Sequence, residues 1–111
     1  MNKREIGRLL EEKILGYIKE IDPQARLSRA SGASFDIGDV VSQDFYFEAK
    51  KRNTVDFTIK EAHLNHLNSQ VPINSKKICI LVNENKNGNC LVTLSIDDFF
   101  RLIKEVYDGR R

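Results

Sequence analysis

The stretch Phe35-Asp36-Ile37-Gly38-Asp39-Val40-Val41, followed by Ser42-Gln43-Asp44 and Phe45-Tyr46-Phe47-Glu48-Ala49-Lys50, decides the fold because it reads as two strands joined by a short turn. Side chains alternate across a strand, so Tyr46, Glu48 and Lys50 should share one face. The apolar face would then carry Phe45, Phe47 and Ala49. A turn of two or four residues within 42–45 places Asp39 opposite Glu48. The sequence therefore predicts a patch of two carboxylates and one ammonium.

A patch of this kind favours a bound metal ion. Like charges opposite each other on a sheet repel, and a partly buried carboxylate pair needs a compensating cation. Oxygen ligands from Asp39 and Glu48 favour Mg²⁺, for which Mn²⁺ can substitute, over zinc. Lys50 could orient or activate a water beside the ion. The alternative is an ordinary solvated strand face with one ion pair.

The spacing of Asp39 and Glu48-Ala49-Lys50 resembles the PD-(D/E)xK nuclease motif, with Gly38 where the name of the motif has proline. This resemblance implies catalytic roles for Asp39, Glu48 and Lys50. It also implies that Asp39, Glu48 and the carbonyl of Ala49 hold one or two magnesium ions. Hydrolysis by the family generally releases a 5′-phosphate.

An acidic residue on the first helix extends the resemblance. Apolar residues recur at helical spacing and Asp22-Pro23 ends the run, whose members are Ile6, Leu9, Leu10, Ile14, Tyr17, Ile18 and Ile21. At about 100° per residue Glu11 lies at the edge of this stripe and Glu12 points away from it. Archaeal-type Holliday junction resolvases have a similar glutamate, followed by apolar residues three and four positions later. The resemblance implies a catalytic, metal-binding role for Glu11, with Glu12 and a purely solvated pair as alternatives.

Candidate DNA contacts flank the acidic residues. The segment 26–34 is rich in small hydroxyl residues and resembles the arginine and Gly-Ser-Gly loop of the junction resolvases, although such a stretch can also be only a connection. Guanidinium and hydroxyl groups are good phosphate partners, which gives Arg29 and Ser31 a predicted DNA-binding role. Lys51 and Arg52 after the motif, and Gln70 on the next helix, are further candidates.

The remaining elements follow from local signals. A capping box at Thr58-Ile59-Lys60-Glu61 predicts a helix that continues toward Gln70. Apolar runs at 78–82 and 90–94 predict two strands separated by a polar turn. A second capping box, Ser95-Ile96-Asp97-Asp98, predicts a final helix with Phe99, Phe100, Leu102, Ile103 and Val106 facing inward. The order α-β-β-β-α-β-β-α predicts an α/β sandwich around a mixed central sheet, similar to the restriction-endonuclease-like fold.

Composition narrows the class of protein. A chain of 111 residues with 41% hydrophobic residues suits one domain spanning 1–111. The net charge of only +2 argues against general polyanion affinity. No apolar run is long enough for a membrane span and no signal-peptide core is present, so we expect a cytoplasmic protein without membrane partners. Cys79 and Cys90 are expected to be buried reduced thiols, and His63 and His66 polar helix residues rather than metal ligands.

Together these observations predict a metal-dependent DNA endonuclease, most similar to a Holliday junction resolvase acting in DNA recombination and repair. Such an enzyme cuts two equivalent strands of a four-way junction, which implies a homodimer. Two alternatives stay open at this point. One is a nicking, mismatch or restriction-type nuclease with the same motif, and the other is a non-catalytic DNA-binding module on the same fold.

Overall fold

The computed structural model describes residues 2–29 and 36–110 of the chain. Its elements follow the predicted order: α1 (Lys3–Lys19), β1 (Arg26–Leu27), β2 (Val40–Val41), β3 (Phe45–Lys51), α2 (Glu61–Ser69), β4 (Ile78–Glu84), β5 (Cys90–Thr93) and α3 (Ile96–Asp108). The strands form one sheet in the order β1-β2-β3-β4-β5. Its pairs are antiparallel except for the parallel pair β3–β4, whose crossover contains α2. The predicted α/β class with a mixed central sheet is confirmed.

Helix α1 covers one face of the sheet. The side chain of Asn2 caps it by accepting a hydrogen bond from the Glu5 N–H at 2.9 Å. Residues at i, i+4 and i+8 form its buried stripe, namely Leu10, Ile14 and Ile18. The apolar side chains of β3 pack against this cluster, and they are Phe45, Phe47 and Ala49. The predicted alternation of β3 is therefore confirmed on this face.

Helix α2 packs on the opposite face of the sheet. Leu64 and Leu67 join Cys79 and Leu81 of β4 in a second core cluster, with Tyr46 of β3 packed against it. The predicted capping box at its start is wrong. The helix begins at Glu61, and its N-cap is Lys60, which makes no side-chain capping hydrogen bond. Because Lys60 is extended, Thr58 stands too far before the first helical turn to cap it.

Helix α3 departs most from the prediction. The Ser95 hydroxyl caps it by accepting from the Asp98 N–H at 3.1 Å, as expected. No described residue of α3 is buried, however, and Phe99, Phe100 and Val106 are 45%, 58% and 52% exposed. Only Leu102 and Ile103 of the residues predicted to face inward are half-buried. The described residues therefore leave the apolar side of α3 largely exposed.

Two smaller predictions also need correction. The strand predicted at 35–41 is limited to Val40–Val41 in the described residues, and Phe35 lies outside them. Cys79 is buried as expected, but Cys90 is exposed, because β5 is an edge strand. Both thiols are free. No described helix combines the length and apolar character that a membrane crossing needs.

Candidate active site

The hairpin of β2 and β3 has the predicted register. Val40 pairs with Phe47 and Val41 with Tyr46, so continuing this register by one residue brings Asp39 opposite Glu48. Ser42 closes the turn, since its hydroxyl accepts from the Phe45 N–H at 3.0 Å and its N–H donates to the Phe45 carbonyl at 2.9 Å. The local sequence therefore positions the two carboxylates on paired chains.

Gly38 explains why the motif lacks proline in this chain. Its φ is +72°, a conformation that L side chains rarely adopt. A Cβ at this position would lie 2.7 Å from the carbonyl oxygen of Phe47. That same carbonyl accepts a hydrogen bond from the Asp39 N–H at 2.7 Å. Glycine therefore allows the backbone of β3 to approach closely and hold Asp39 immediately before β2.

The Asp39 carboxylate is held by the backbone of β3. Its Oδ2 accepts a hydrogen bond from the Ala49 N–H at 2.8 Å. Within the described part of the chain, Oδ1 has no hydrogen-bond partner. One oxygen thus fixes the carboxylate and the other is available to a cation.

The charge of Asp39 acts on two other acidic residues, Glu48 and Glu11. Burial raises the pKa of Glu48, the charge of Asp39 raises it further, and Lys50 and His66 oppose the shift. Burial also raises the pKa of Glu11, followed by the charge of Asp39, with a smaller contribution from Glu48. Glu12 is instead exposed and bonded to the Arg8 guanidinium at 3.3 Å. Glu11 therefore lies within electrostatic reach of Asp39 and Glu48, whereas Glu12 is exposed and paired with Arg8.

Lys50 and Lys51 point to opposite faces of the sheet. Lys50 lies with Glu48, its Nζ 3.8 Å from Glu48 Oε1. Lys51 contacts Glu84 Oε1 at 2.8 Å and the Asn85 carbonyl at 2.9 Å. Burial alone would raise the pKa of Glu84, but hydrogen bonds from Lys51 and Lys13 lower it to about 2. Lys51 thus belongs to a structural ion cluster, so a phosphate would have to compete with Glu84 for it.

The other predicted DNA contacts are spread around the acidic residues. Arg29 is exposed, and its N–H donates to the Asp36 carboxylate at 2.7 Å. The Asp36 carboxylate also accepts two hydrogen bonds from the Arg26 guanidinium, at 2.6 and 2.8 Å. These bonds hold the pKa of Asp36 well below its usual range. Ser31 lies outside the described residues. Gln70 is hydrogen-bonded to His66, with 3.0 Å between their Nε2 atoms. The charge of His66 in turn lowers the pKa of Glu48.

Sequence reasoning missed three polar residues near Lys50 and Glu48. The charge of His66 lowers the pKa of Glu48. The charges of Lys50 and Arg52 lower the pKa of His63. Asn83 of β4 pairs in register with Lys50. The i, i+3 spacing of the two histidines, together with a polar residue after the apolar run 78–82, was the signal available in the sequence.

The donor chemistry fits a hard divalent cation. Asp39 and Glu48 offer carboxylate oxygens, which a hard cation prefers. Burial is the main cause of the raised pKa values of Glu48 and Glu11, and the charge of Asp39 raises both further, so a cation beside Asp39 would oppose both shifts. In residues 2–29 and 36–110, no three His, Cys, Asp or Glu side chains form a ready-made metal-binding group. Asp39 and Glu48 would therefore be the candidate ligands, and Glu11 lies within electrostatic reach of both without forming a three-carboxylate group with them.

Comparison of the chain with protein-family models, with curated proteins and with solved structures finds no match.

Magnesium is expected to stabilise the folded chain through these carboxylates. A concentration about tenfold above the Kd stabilises by about 1.4 kcal/mol, which corresponds to a rise in Tm of about 5 °C. The folded-state pKa of Glu48 is raised, so its charged form opposes folding at neutral pH and stability increases as pH falls through that pKa. Glu48→Gln should accordingly match or exceed the wild-type Tm in EDTA and lose the response to Mg²⁺.

Thermal unfolding with and without Mg²⁺ checks this expectation. Glu12→Gln is the matched control, because Glu12 is an exposed acid on the same helix as Glu11. It should retain the full response to Mg²⁺. An equal rise in Tm for wild type and Glu48→Gln would contradict a metal site at these carboxylates.

Proposed function

We propose that this chain is a metal-dependent DNA endonuclease of the PD-(D/E)xK type. The observation that carries the proposal is the arrangement of Asp39 opposite Glu48, with the Lys50 ammonium 3.8 Å from Glu48. The mutual repulsion of these partly buried carboxylates, which the charge of Asp39 extends to Glu11, supports it, because a cation would compensate it. The element order around one mixed sheet supports a restriction-endonuclease-like fold as part of the same proposal.

Each residue has a separate task in the proposed reaction. A bound Mg²⁺ supplies Lewis acidity and lowers the pKa of a coordinated water. Asp39 and Glu48 would hold the ion, together with Glu11 and the carbonyl of Ala49. The Ala49 N–H keeps the Asp39 carboxylate in place at 2.8 Å. Lys50 would align the attacking water and stabilise the charge that develops on the phosphate, and cleavage would leave a 5′-phosphate.

The proposed DNA contacts differ in their support. Arg52 follows β3 on the face of Lys50, and its guanidinium has no ion-pair partner in the described chain. Arg29 is exposed at the entrance to the segment 30–35. Both are suited to phosphates. Lys51 is left out because Glu84 and Asn85 already bind its ammonium.

A junction resolvase is the branch of this class that we propose. Such an enzyme needs two active sites related by a two-fold axis, and α3 offers a surface for a second copy of the chain. The helix exposes five large apolar side chains, namely Ile96, Phe99, Phe100, Val106 and Tyr107. Contiguous exposed apolar surface of this kind is characteristic of protein interfaces.

The assembly state tests the resolvase branch. We expect a dimer at micromolar concentration by analytical ultracentrifugation, and Phe100→Glu should convert it to a monomer by placing a charge in the interface. Lys104→Glu, on an exposed position of the same helix, is the control for a change of charge. A strict monomer, even with junction DNA bound, would contradict the resolvase branch and leave a nicking nuclease or a non-catalytic module.

A further inference from the structure

The buried side-chain amide of Asn83 lies on the strand next to Lys50. Asn83 pairs in register with Lys50 across β3 and β4, and it is 0% exposed. It lies on the α2 side of the sheet, since Cys79 and Leu81 of the same strand face α2. Neither its Nδ2 nor its Oδ1 has a hydrogen-bond partner in the described structure. Because buried polar groups are nearly always satisfied, this amide points to a ligand.

Two further side chains on the same side of the sheet carry buried nitrogens without a partner among the described residues. Arg52 continues β3, as its N–H donates to the Glu84 carbonyl at 2.8 Å, and alternation places its side chain on the face of Lys50. Its Nε and Nη2 are buried and have no partner among the described residues. The same holds for Nδ1 of His63 in the first turn of α2. Three different residue types thus leave buried polar atoms unpaired in one region.

Electrostatics indicate the sign of the missing partner. Burial lowers the pKa of His63, and the positive charges of Lys50, Arg52 and Lys60 lower it further. All three charges that act on His63 are cationic. Within the described residues, Arg52 makes no ion pair, and the Lys50 ammonium has only Glu48 at 3.8 Å. The region is therefore rich in donors and positive charge, which suits an oxyanion.

We propose that Arg52, His63 and Asn83 form a phosphate-binding pocket beside Lys50. This inference rests on the proposed function in one respect: the phosphate is taken to be a DNA phosphodiester next to the one that is cut. Lys50 lies 3.8 Å from Glu48 and pairs in register with Asn83 on the neighbouring strand. A phosphate in the pocket would therefore lie next to the acidic residues. The guanidinium, imidazole and amide each donate to its oxygens, and Lys50 can donate to the Asn83 carbonyl oxygen.

Inorganic phosphate tests the pocket without any DNA or metal. In EDTA, about 20 mM phosphate should raise the wild-type Tm by about 2 °C or more over chloride of equal ionic strength. Arg52→Gln and Asn83→Leu should abolish this phosphate-specific rise, and Lys86→Gln, at an exposed lysine, should retain it. In chloride, Asn83→Leu should match or exceed the wild-type Tm, because it removes an unsatisfied buried amide.

Two outcomes would each overturn the pocket. They are the absence of a phosphate-specific rise in wild type and the persistence of that rise in Arg52→Gln. The Arg52 variant keeps the test decisive where the Asn83 variant unfolds, because Arg52 is only half-buried. A pocket that binds phosphate in a chain that cuts no DNA would uphold this inference and reject the nuclease.

Binding of duplex DNA in EDTA distinguishes a DNA phosphate from a free one. By fluorescence anisotropy, Arg52→Gln should weaken DNA binding by about tenfold and reduce the slope of log Kd against log salt by about one phosphate. Lys86→Gln should change neither quantity to this extent. Unchanged DNA binding by a variant that has lost its phosphate response would reject the DNA phosphodiester and assign the pocket to a small free anion.

Discussion

Asp39→Asn is expected to abolish DNA cleavage while leaving DNA binding unchanged or slightly tighter. In the wild-type chain the Ala49 N–H donates to the Asp39 carboxylate at 2.8 Å, and the amide oxygen of an asparagine can accept the same hydrogen bond. The substitution removes the negative charge that a bound cation needs. Loss of a negative charge near the phosphates also reduces repulsion of DNA. Single-turnover cleavage and anisotropy binding on the same DNA separate the two effects.

The control for Asp39→Asn must be an acid without a structural role. Asp36 is unsuitable, because the Arg26 guanidinium binds its carboxylate at 2.6 and 2.8 Å. Breaking that pair would remove about 1–2 kcal/mol of stability. Asp44 is exposed in the turn of the same hairpin, so Asp44→Asn should retain most activity. Comparable loss in both variants would mean that Asp39 acts through folding.

Lys50→Ala should reduce the cleavage rate by about 10²-fold or more, with a much smaller change in DNA binding. A preorganised cationic donor acts mainly on charge that develops in the transition state, and removing one such donor has effects of this size. Single-turnover rates at saturating enzyme measure the chemical step, and anisotropy in EDTA measures the affinity. The ratio of the two changes is the diagnostic quantity.

Neighbouring cations provide the comparison for Lys50. Arg52→Ala should weaken binding more than it slows cleavage at saturation, because it contacts a neighbouring phosphate in the proposed complex. Lys51→Ala should mainly lower the Tm, since it leaves Glu84 with one partner fewer in a half-buried ion cluster. Equal effects of all three variants on binding and rate would favour a plain basic patch over a catalytic lysine.

The hairpin could be predicted from sequence because its signals are local. Alternation fixes the faces of β3, and the turn at Ser42 fixes the register that sets Asp39 opposite Glu48. The strand length was not predictable in the same way. Gly38 adopts φ +72° and the Arg26 guanidinium holds Asp36, so the regular strand β2 begins only at Val40.

The surroundings of the hairpin depend on long-range packing. Strand alternation already separates the faces of Lys50 and Lys51 in the sequence, but the ion pair of Lys51 with Glu84 depends on the position of β4. The exposure of α3 depends on which surfaces α1 and α2 already cover, which no helical period records. In the sequence, Asn83 looks like an ordinary polar residue at the end of a strand. Only its pairing with Lys50 in the sheet shows that it lies near the candidate site.

Cleavage of a synthetic four-way junction in Mg²⁺, beside a linear duplex of the same sequence, most directly tests whether Asp39, Glu48 and Lys50 form a nuclease site. We predict paired symmetric cuts in the junction that leave 5′-phosphates, little cleavage of the linear duplex, and no cleavage in EDTA or by Glu48→Gln. Absence of magnesium-dependent cleavage of either DNA by the wild-type chain, under conditions in which it binds both, would contradict the account.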